Sequence, residues 1–236
     1  MIKTLKLSII VITWNRLDFT KKCLEAIFKT TKKLKDKEII VVDNGSTDGT
    51  IDYLCELEKR EKINLAFFSE NEGCGKATNA GMAKAQGEFI VEIDNDIEMQ
   101  EGWWEEGFRL MEATEKIGQI GFLEASLPMK LELFGIDVAP PNVAGAWIMR
   151  RKFYDMGLRW PEESWKEVPW QAILFSAWIK SRRYLVGNLM KPLARDLAKG
   201  NHYQYLDYYK KTFGERGIIP HLDILLEKES KIIKPN

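Results

Sequence analysis

Two aspartates, Asp94 and Asp96, stand one residue apart at the end of an apolar segment, Phe89–Ile93. Because side chains alternate between the two faces of an extended backbone, we expect both carboxylates on one face and Asn95 on the other. Adjacent carboxylates repel each other, and a hard divalent cation such as Mg²⁺ or Mn²⁺ offsets that repulsion. The spacing therefore predicts a cation site, although a strand that ends in an acidic turn has the same pattern.

Three further polar clusters follow apolar segments that are typical of buried strands. The segments Leu7–Ile12, Ile39–Val42 and Leu65–Phe68 indicate a parallel sheet that is covered on both faces. Helical patterns between them complete a strand–helix alternation, which predicts an α/β fold. Ligands of such sheets bind at the carboxyl ends of the strands, where all the polar clusters lie. The clusters are Thr13–Arg16, Asp43–Gly49, Asn71–Gly81 and Asp94–Asp96.

Together these clusters resemble the motifs of family 2 glycosyltransferases of GT-A fold. The matching segments are Thr13–Trp14–Asn15–Arg16, Val42–Thr50, Asn71–x–Gly73–x–Gly75–x–Ala77–x–Asn79–x–Gly81 and Asp94–Asn95–Asp96. Each motif alone is weak, but their shared order and spacing are specific. The third motif is most similar to the rhamnosyltransferase-like branch. The resemblance is clear over roughly the first hundred residues, weaker to about Gly157 and slight beyond it.

The resemblance implies a GT-A-type, Rossmann-like α/β fold with helices around a mostly parallel central sheet. Residues 1–100 would form the nucleotide-sugar-binding half, residues 101–200 the acceptor-binding half of the same domain, and residues 201–236 a helical C-terminal extension. The implied enzyme is an inverting, metal-dependent hexosyltransferase of polysaccharide biosynthesis. It would move a sugar from a UDP-, dTDP- or GDP-linked donor to a hydroxyl of a glycan or lipid-linked acceptor, with Mn²⁺ or Mg²⁺ as cofactor.

Residues of the donor site carry over from the family motif by motif. Asp43 can accept hydrogen bonds from a nucleobase or a ribose, and Gly75 lets the backbone approach a ligand, unless the glycines only form a tight turn. Lys76 lies at the start of a predicted helix, whose N-terminus favours a diphosphate. Asp94 would face the ribose and the metal, and Asp96 would bind the metal as a catalytic residue. The predicted donor contacts are Thr13, Trp14, Asn15, Asp43, Asn71, Gly75, Lys76, Asn79 and Asp94.

The acceptor side has a weaker signal than the donor side. Gly145, Ala146 and Trp147 resemble the family's strand beneath the acceptor, where small residues leave room for the incoming sugar. A glycine at a strand bulge is the alternative interpretation. The preceding stretch from Asp137 to Asn142, which contains two prolines, is predicted to be a loop.

The catalytic base of the family has no direct counterpart, because the family's Glu–Asp dipeptide is absent from this chain. Glu167 takes the place of the glutamate, and Val168 stands where the aspartate would be. We therefore predict Glu167 as the general base, with Glu162 and Glu163 as the alternatives nearby in sequence. All three could instead be solvated loop carboxylates, as surface glutamates commonly are.

Two features of the C-terminal half leave alternatives open. His202 falls where some family members have a histidine metal ligand, which would complete a set with Asp94 and Asp96, although a loop histidine is more often solvated. The segment 170–195 starts with apolar residues at helical spacing and continues with basic ones. Such a segment can contact an anionic membrane surface peripherally, but packing against the sheet or a partner is favoured.

Composition excludes several classes of function. Lysine plus arginine equals aspartate plus glutamate at 35 each, so the chain has no basic field to attract nucleic acid. Cys23, Cys55 and Cys74 are too scattered for a disulfide framework, which favours a reducing compartment. No apolar stretch reaches the roughly 18 residues of a membrane span. We therefore expect a cytoplasmic protein with or without peripheral membrane contact; its oligomeric state is not indicated.

Two other functions remain open from the sequence. A non-catalytic relative could keep the nucleotide pocket as a binding or scaffold subunit, which the missing dipeptide allows. A sugar-1-phosphate nucleotidyltransferase would need a glycine-rich phosphate loop after the first strand, and Thr13–Arg16 is not such a loop. A nicotinamide-dependent dehydrogenase is disfavoured on the same ground, since no Gly-x-Gly-x-x-Gly follows a strand.

Overall fold

The computed structural model describes residues 6–123, 131–133, 136–139, 145–162, 171–189 and 191–198. Three predictions lie outside these residues, namely the helical extension over 201–236, the base Glu167 and the metal ligand His202. The described residues up to Leu197 belong to one compact unit. The division of that unit into two halves at residue 100 stays a prediction.

Strands form where the sequence is β-branched and nearly continuous in apolar residues. Their bounds are β1 Leu7–Thr13, β2 Lys37–Asn44, β3 Asn64–Phe68, β4 Phe89–Asp94, β5 Ile97–Met99, β6 Ile117–Gly121, β7 Leu131–Leu133, β8 Ile136–Ala139, β9 Ala146–Arg150, β10 Leu185–Leu189 and β11 Ala194–Asp196. The helices are α1 Leu17–Thr30, α2 Thr50–Lys59, α3 Cys74–Lys84, α4 Trp103–Ala113, α5 Lys152–Asp155 and α6 Gln171–Lys180. The four strands predicted from apolar segments are confirmed as β1 to β4.

Within the described residues, nine strands form one sheet in the order β3–β2–β1–β4–β9–β6–β10–β8–β7. β1 runs parallel to β2 and β4, and β2 runs parallel to β3. β9 is antiparallel to β4 and β6, and β8 is antiparallel to β10 and β7, so the other strands share one direction. The sheet is mostly parallel, as predicted, and the carboxyl ends of β2, β1 and β4 meet at one edge.

The core consists of two apolar clusters, one on each face of the sheet. On the first face, α1, α2 and α4 contribute buried residues such as Leu24, Leu54 and Leu110. On the other face, which we call the α3 face, α3, α5 and α6 bury residues such as Met82 and Phe153. All seven residues of β1 are buried, because helices cover both of its sides.

Two parts of the fold differ from the sequence prediction. The stretch from Asp137, predicted as a loop, continues β8 to Ala139, because β8 pairs with β10 and β7. β11 pairs antiparallel with β5 in a separate small sheet that the sequence did not indicate. In both cases strand pairing between residues far apart in sequence overrides the local pattern.

The apolar part of segment 170–195 forms helix α6, which packs against the sheet. Phe175 and Ile179 are buried in the core of the α3 face, as the packing alternative predicts. Leu174, in contrast, is 39% exposed. Contact of this segment with a membrane surface stays a prediction. None of the described helices is long and apolar enough to cross a membrane.

Candidate functional site

Asp43 is held in one orientation at the carboxyl end of β2. Strand register places Thr13 of β1 beside Asp43, and the Thr13 hydroxyl donates to Asp43 Oδ1 at 2.9 Å. Ser46 donates twice, from its hydroxyl to Oδ1 at 2.5 Å and from its backbone N–H to Oδ2 at 2.9 Å. Asp43 is only 1% exposed, so these bonds offset the cost of burying the carboxylate. Ser46, which the sequence analysis did not select, thus belongs to the site.

Asn15 ties three of the four motifs together. Its backbone N–H donates to Ser46 Oγ at 2.7 Å, and its side-chain oxygen accepts from the Thr47 N–H at 2.8 Å. Its carbonyl accepts from Asn95 Nδ2 at 3.1 Å. Asn15 and the next residue, Arg16, both have left-handed backbone, with φ of 55° and 61°. Consecutive non-glycine residues in this region are uncommon and mark a loop whose shape is held by its surroundings.

The third motif folds back on the second through a pair of asparagines. Asn44 Nδ2 donates to Asn71 Oδ1 at 3.0 Å, and Asn44 Oδ1 accepts from the Glu72 N–H at 2.9 Å. Asn71 Oδ1 also accepts from the Gly73 N–H at 2.9 Å, just before α3 begins. The predicted donor residue Asn71 therefore shapes the loop that leads into α3.

The remaining donor predictions on α3 have distinct surroundings. Lys76 lies in the first turn, about half exposed, and its ammonium group pairs with Glu72 at 2.6 Å. Gly75 faces the backbone of Pro161 at close range. Asn79 is buried, and its amide is hydrogen-bonded to the backbone of Trp160. Of these three predicted donor contacts, Gly75 and Asn79 are buried and Lys76 is exposed.

Asp94 ends β4, and Asn95 and Asp96 lie in the turn before β5. The extended backbone predicted for this motif therefore stops at Asp94, and the acidic-turn alternative describes its last two residues. Asn95 is buried, and its Nδ2 donates to Thr20 Oγ1 of α1 at 3.0 Å. Asp96 Oδ2 accepts from Arg16 Nη1 at 2.8 Å, so the first and fourth motifs are also joined by an ion pair.

The environment of Asp94 disfavours its negative charge. Burial, together with the charges of Asp96 and then Asp196, raises the pKa of Asp94 to about 7, although a hydrogen bond with Glu92 and the charge of Arg16 act in the opposite direction. A bound cation would remove this penalty, because it would neutralise the excess negative charge.

Asp196 is a site residue that sequence reasoning missed. It ends β11, which pairs with β5 so that Asp196 stands opposite Ile97. The following residue, Leu197, donates its N–H to the carbonyl of Asp96 at 2.8 Å. Because this approach depends on pairing between segments about a hundred residues apart, no local signal in the sequence could have found it.

Glu92 is a second residue that the sequence analysis did not select. It lies two residues before Asp94 on the same face of β4 and is 3% exposed. Burial, reinforced by the charge of Asp94 and a hydrogen bond to it, raises the pKa of Glu92 well above its usual value. The indole N–H of Trp147 favours the charged form, but it lies outside ordinary hydrogen-bond geometry. A glutamate inside the apolar strand Phe89–Ile93 was the available signal.

On the predicted acceptor side, only Gly145 borders the aspartates. Its carbonyl accepts from the Asp94 N–H at 2.8 Å. Its φ is +75°, and an added Cβ would lie 2.7 Å from Leu123 Cδ1, so glycine is required here. Ala146 and Trp147 are fully buried, because β9 lies between β4 and β6. These two side chains therefore support Gly145 from within the sheet and present no surface to an acceptor.

The predicted metal ligands among the described residues are Asp94 and Asp96. Among the described residues, no group of three or more histidine, cysteine, aspartate or glutamate side chains has metal-holding geometry. Asp96 and Asp196 nevertheless both contribute to the raised pKa of Asp94. Oxygen donors with excess negative charge fit Mg²⁺ or Mn²⁺ in chemical type.

Most of the curated relatives match this chain over less than half of its length. Glycosyltransferase AglE of Haloferax volcanii is 28% identical over 108 residues, which cover 45% of this chain and 36% of AglE. The poly(ribitol-phosphate) beta-glucosyltransferase of Bacillus spizizenii is 33% identical over 94 residues, covering 39% and 15% of the two chains. In four curated relatives, the match to this chain spans between 27% and 36% of the relative's length.

Solved structures match a larger part of the chain. S. aureus TarS in complex with UDP-GlcNAc has a TM-score of 0.60 at 18% identity, with 89% of this chain and 67% of that chain covered. Mannosyltransferase PcManGT from Pyrobaculum calidifontis, in complex with GDP-Man and Mn²⁺, has a TM-score of 0.65 at 18% identity, with 87% and 61% covered. These similarities confirm the predicted GT-A fold.

The family itself is shown by a match over more than half of the chain. The model of glycosyl transferase family 2 matches residues 8–174, which include all four polar motifs and Gly145. The match does not distinguish the rhamnosyltransferase-like branch, which stays a prediction. On the strength of this match, together with the fold and the motif geometry, the chain belongs to glycosyl transferase family 2.

Proposed function

We propose that this protein transfers a sugar, with inversion, from a nucleotide diphosphate donor to a hydroxyl of a glycan or lipid-linked acceptor. The strongest support is the junction of three motifs at the carboxyl edge of β2, β1 and β4. Asn15 links the Ser46–Thr47 loop to Asn95, and Arg16 pairs with Asp96. A cleft edge built in this way is where open α/β sheets bind nucleotides.

The nucleoside part of the donor would bind next to Asp43. Three hydrogen bonds already occupy the Asp43 carboxylate, which has about four acceptor positions, so one remains for a base N–H or a ribose hydroxyl. Trp14 lies between Thr13 and Asn15 and is 50% exposed, which offers an apolar wall for the base. Lys76 and the N-terminus of α3 are suited to the diphosphate.

The metal belongs to this proposal. Asp94 and Asp96 would hold Mn²⁺ or Mg²⁺, Asp196 adds charge from β11, and His202 stays a predicted ligand outside the described residues. When bound, the ion would supply Lewis-acid stabilisation of the nucleoside diphosphate as it leaves. Arg16, which pairs with Asp96, is close enough to add a second positive charge beside that group.

Inversion requires a general base that takes the proton of the acceptor hydroxyl on the side opposite the leaving diphosphate. We keep Glu167 as the proposed base and Glu162 and Glu163 as the alternatives. Among the three, only Glu162 is described by the structure. It is exposed, and its Oε1 accepts from Asn79 Nδ2 at 2.8 Å.

Similar proteins support the proposed donor and acceptor classes. TarS is solved with UDP-GlcNAc and PcManGT with GDP-Man and Mn²⁺, which supports UDP- and GDP-linked sugars, beside dTDP-linked ones, as donors to test. The name of the poly(ribitol-phosphate) beta-glucosyltransferase supports a polymer hydroxyl as the acceptor. The specific sugar depends on pocket contacts worth a few kcal/mol.

A donor screen tests the proposal. UDP-GlcNAc, UDP-glucose, GDP-mannose and a dTDP-linked sugar are added with and without Mn²⁺, and thermal unfolding is followed. A true donor at about 100 times its Kd should add roughly 2.7 kcal/mol to stability, and nucleotide should be released when an acceptor is present. Binding without turnover would instead indicate the scaffold alternative. Pyrophosphate-dependent formation of a nucleotide sugar would indicate a nucleotidyltransferase.

A further inference from the structure

Helix α3 makes a specific polar contact with the segment that follows α5. Asn79 Nδ2 donates to the carbonyl of Trp160 at 2.9 Å and to Glu162 Oε1 at 2.8 Å. In return, the Trp160 N–H donates to Asn79 Oδ1 at 2.8 Å. Both hydrogens of the Asn79 amide are therefore used, and a direct contact from them to a donor sugar would break these bonds.

One turn earlier on the same helix, Gly75 lets the two backbones touch. A Cβ at Gly75 would lie 2.0 Å from the carbonyl oxygen of Pro161 and 2.9 Å from Glu162 Cα. Any larger side chain would push this segment away from α3. Gly75 and Asn79 are four residues apart and so share one helix face. We call the contact of Gly75 and Asn79 with residues 160–162 the α3 clamp.

The α3 clamp joins the donor side of the site to its acceptor side. The Trp160 ring stacks on Trp147, with ring centroids 6.0 Å apart and planes 5° from parallel. Trp147 in turn lies two residues after Gly145, whose carbonyl binds the Asp94 N–H. Trp160 is thus packed between α3 and the strand that borders the aspartates.

The Glu162 carboxylate is close enough to Lys76, the predicted diphosphate contact, to affect its pKa. The pKa of Lys76 is raised chiefly by its hydrogen bond and ion pair with Glu72, and the charge of Glu162 adds to the rise. The carboxylate that Asn79 orients therefore lies near the N-terminus of α3. The chain then continues through Glu163 toward Glu167, which are outside the described residues.

We propose that Asn79 and Gly75 are positioning residues, which fix residues 160–162 and the Glu162 carboxylate relative to the donor site. This inference rests on the proposed transferase function and assigns these two residues of the third motif to the acceptor side of the reaction. A misplacement of about 1 Å in such a segment can cost on the order of a hundredfold in rate without weakening donor binding.

The test replaces Asn79 by leucine, which keeps the approximate size but removes every hydrogen bond. We expect kcat to fall about tenfold to a hundredfold, while the Kd for UDP, measured by calorimetry with Mn²⁺, stays within about twofold. The backbone amide of Trp160, followed by hydrogen exchange in the full chain, should lose its protection. Gly75→Ala should show the same separation of kcat from donor binding.

A matched control shows whether lost stability alone explains the effect. Thr30→Val removes the buried hydrogen bond from Trp103 Nε1 to Thr30 Oγ1 at 2.9 Å, together with the bond from the Thr30 hydroxyl to the Ala26 carbonyl at 2.8 Å, on the opposite face of the sheet. It should lower the unfolding midpoint as Asn79→Leu does, yet leave kcat and the exchange of the Trp160 amide unchanged. A fall in kcat as large as that of Asn79→Leu would overturn the inference.

A paired exchange of groups tests the geometry of the α3 clamp. Asn79→Asp sets a carboxylate against Glu162, so protection of the Trp160 amide should fall. Adding Glu162→Gln supplies an N–H donor to that carboxylate and should restore part of the protection, because the Trp160 carbonyl still lacks its donor. If the double variant is no better protected than the single one, the bond between the two side chains does not hold the segment, and the inference is overturned.

Donor binding separates this inference from the proposed function. If the Kd for UDP or UDP-GlcNAc rises with Asn79→Leu as much as kcat falls, Asn79 is a donor contact and the inference is wrong. If the wild type turns over donors and Asn79→Leu does so at the same rate, the inference alone fails. If the wild type uses no donor of the screen, the proposed function fails and the positioning role with it.

Discussion

At the scale of single residues, the proposed donor site is a set of polar groups that are already oriented by hydrogen bonds within the protein. Thr13 and Ser46 hold the Asp43 carboxylate, and Arg16 holds Asp96. Such preorganisation lowers the entropic cost of binding, since the side chains need not be ordered by the ligand. Asp94 differs from these groups, because burial and the charges of Asp96 and Asp196 disfavour its negative charge.

The prediction for Asp43 concerns the affinity of the protein for the nucleotide part of the donor. Asp43→Ala should weaken binding of UDP and of UDP-GlcNAc by a similar factor, about tenfold to a hundredfold, because it removes a charge-assisted hydrogen bond remote from the reacting carbon. Calorimetry on both ligands measures this. The exposed Asp52→Ala on α2 serves as the control. A variant that loses turnover but keeps nucleotide affinity would place the nucleoside elsewhere.

Glu92 gives a prediction about pH. Its pKa is raised in the folded state, so the unfolded chain loses this proton at a lower pH than the folded protein. The folded protein therefore binds more protons above the unfolded pKa, and stability falls as pH rises, by about 1.4 kcal/mol for each pKa unit of the shift. Glu92→Gln removes this penalty.

Urea unfolding at pH 5 and pH 8, with a chelator present, measures the effect. The wild type should lose more stability between the two pH values than Glu92→Gln, and the variant should be the more stable protein at pH 8. Glu115→Gln, at an exposed carboxylate, should follow the wild type. The same change in stability between pH 5 and pH 8 in the wild type and in Glu92→Gln would contradict the role of Glu92.

At the scale of elements, hydrogen bonds from one loop connect the start of α1 with the start of α2. Asp48 shows this most clearly, because it serves two helices. Its Oδ2 accepts from the Leu17 N–H at the start of α1, and its Oδ1 accepts from the N–H and hydroxyl of Thr50 at the start of α2. Neither helix has a side-chain bond from its own N-cap residue.

Removal of this shared cap should therefore destabilise the fold. Asp48→Ala is expected to lower the free energy of unfolding by about 1–2 kcal/mol, since each unsatisfied helix N–H is a cost that the side chain now offsets. Chemical denaturation measures the loss, and Asp48→Asn, which keeps an acceptor, should lose less. Equal stability of Asp48→Ala and the wild type would show that water replaces the cap at no cost.

At the scale of the whole molecule, the sequence correctly predicted the first four strands of the sheet and the position of the motifs that follow them. The apolar segments became β1 to β4, and the motif at the end of each strand reached the same edge of the sheet. These features follow from side-chain periodicity and parallel topology, which a single sequence carries.

The parts that sequence reasoning missed depend on contacts between distant segments. Asp196 reaches the site only because β11 pairs with β5. Gly75 and Asn79 likewise contact residues 160–162, which lie about eighty positions further along the chain. Ala146 has the small side chain that was expected, but its strand lies inside the sheet. Periodicity within one segment does not specify which other segment it meets.

Sugar transfer itself is tested most directly by nucleotide release. The wild type and Asp96→Asn, a variant of nearly equal size, are assayed with UDP-GlcNAc, UDP-glucose, GDP-mannose and a dTDP-linked sugar in the presence of Mn²⁺ and a glycan acceptor. The account predicts that the wild type releases the nucleoside diphosphate from one of these donors and glycosylates the acceptor. Asp96→Asn should have a free energy of unfolding within about 1 kcal/mol of the wild-type value. Its turnover should be slower by on the order of a hundredfold or more. Turnover by Asp96→Asn at the wild-type rate, or no release from any donor by the wild type, would contradict it.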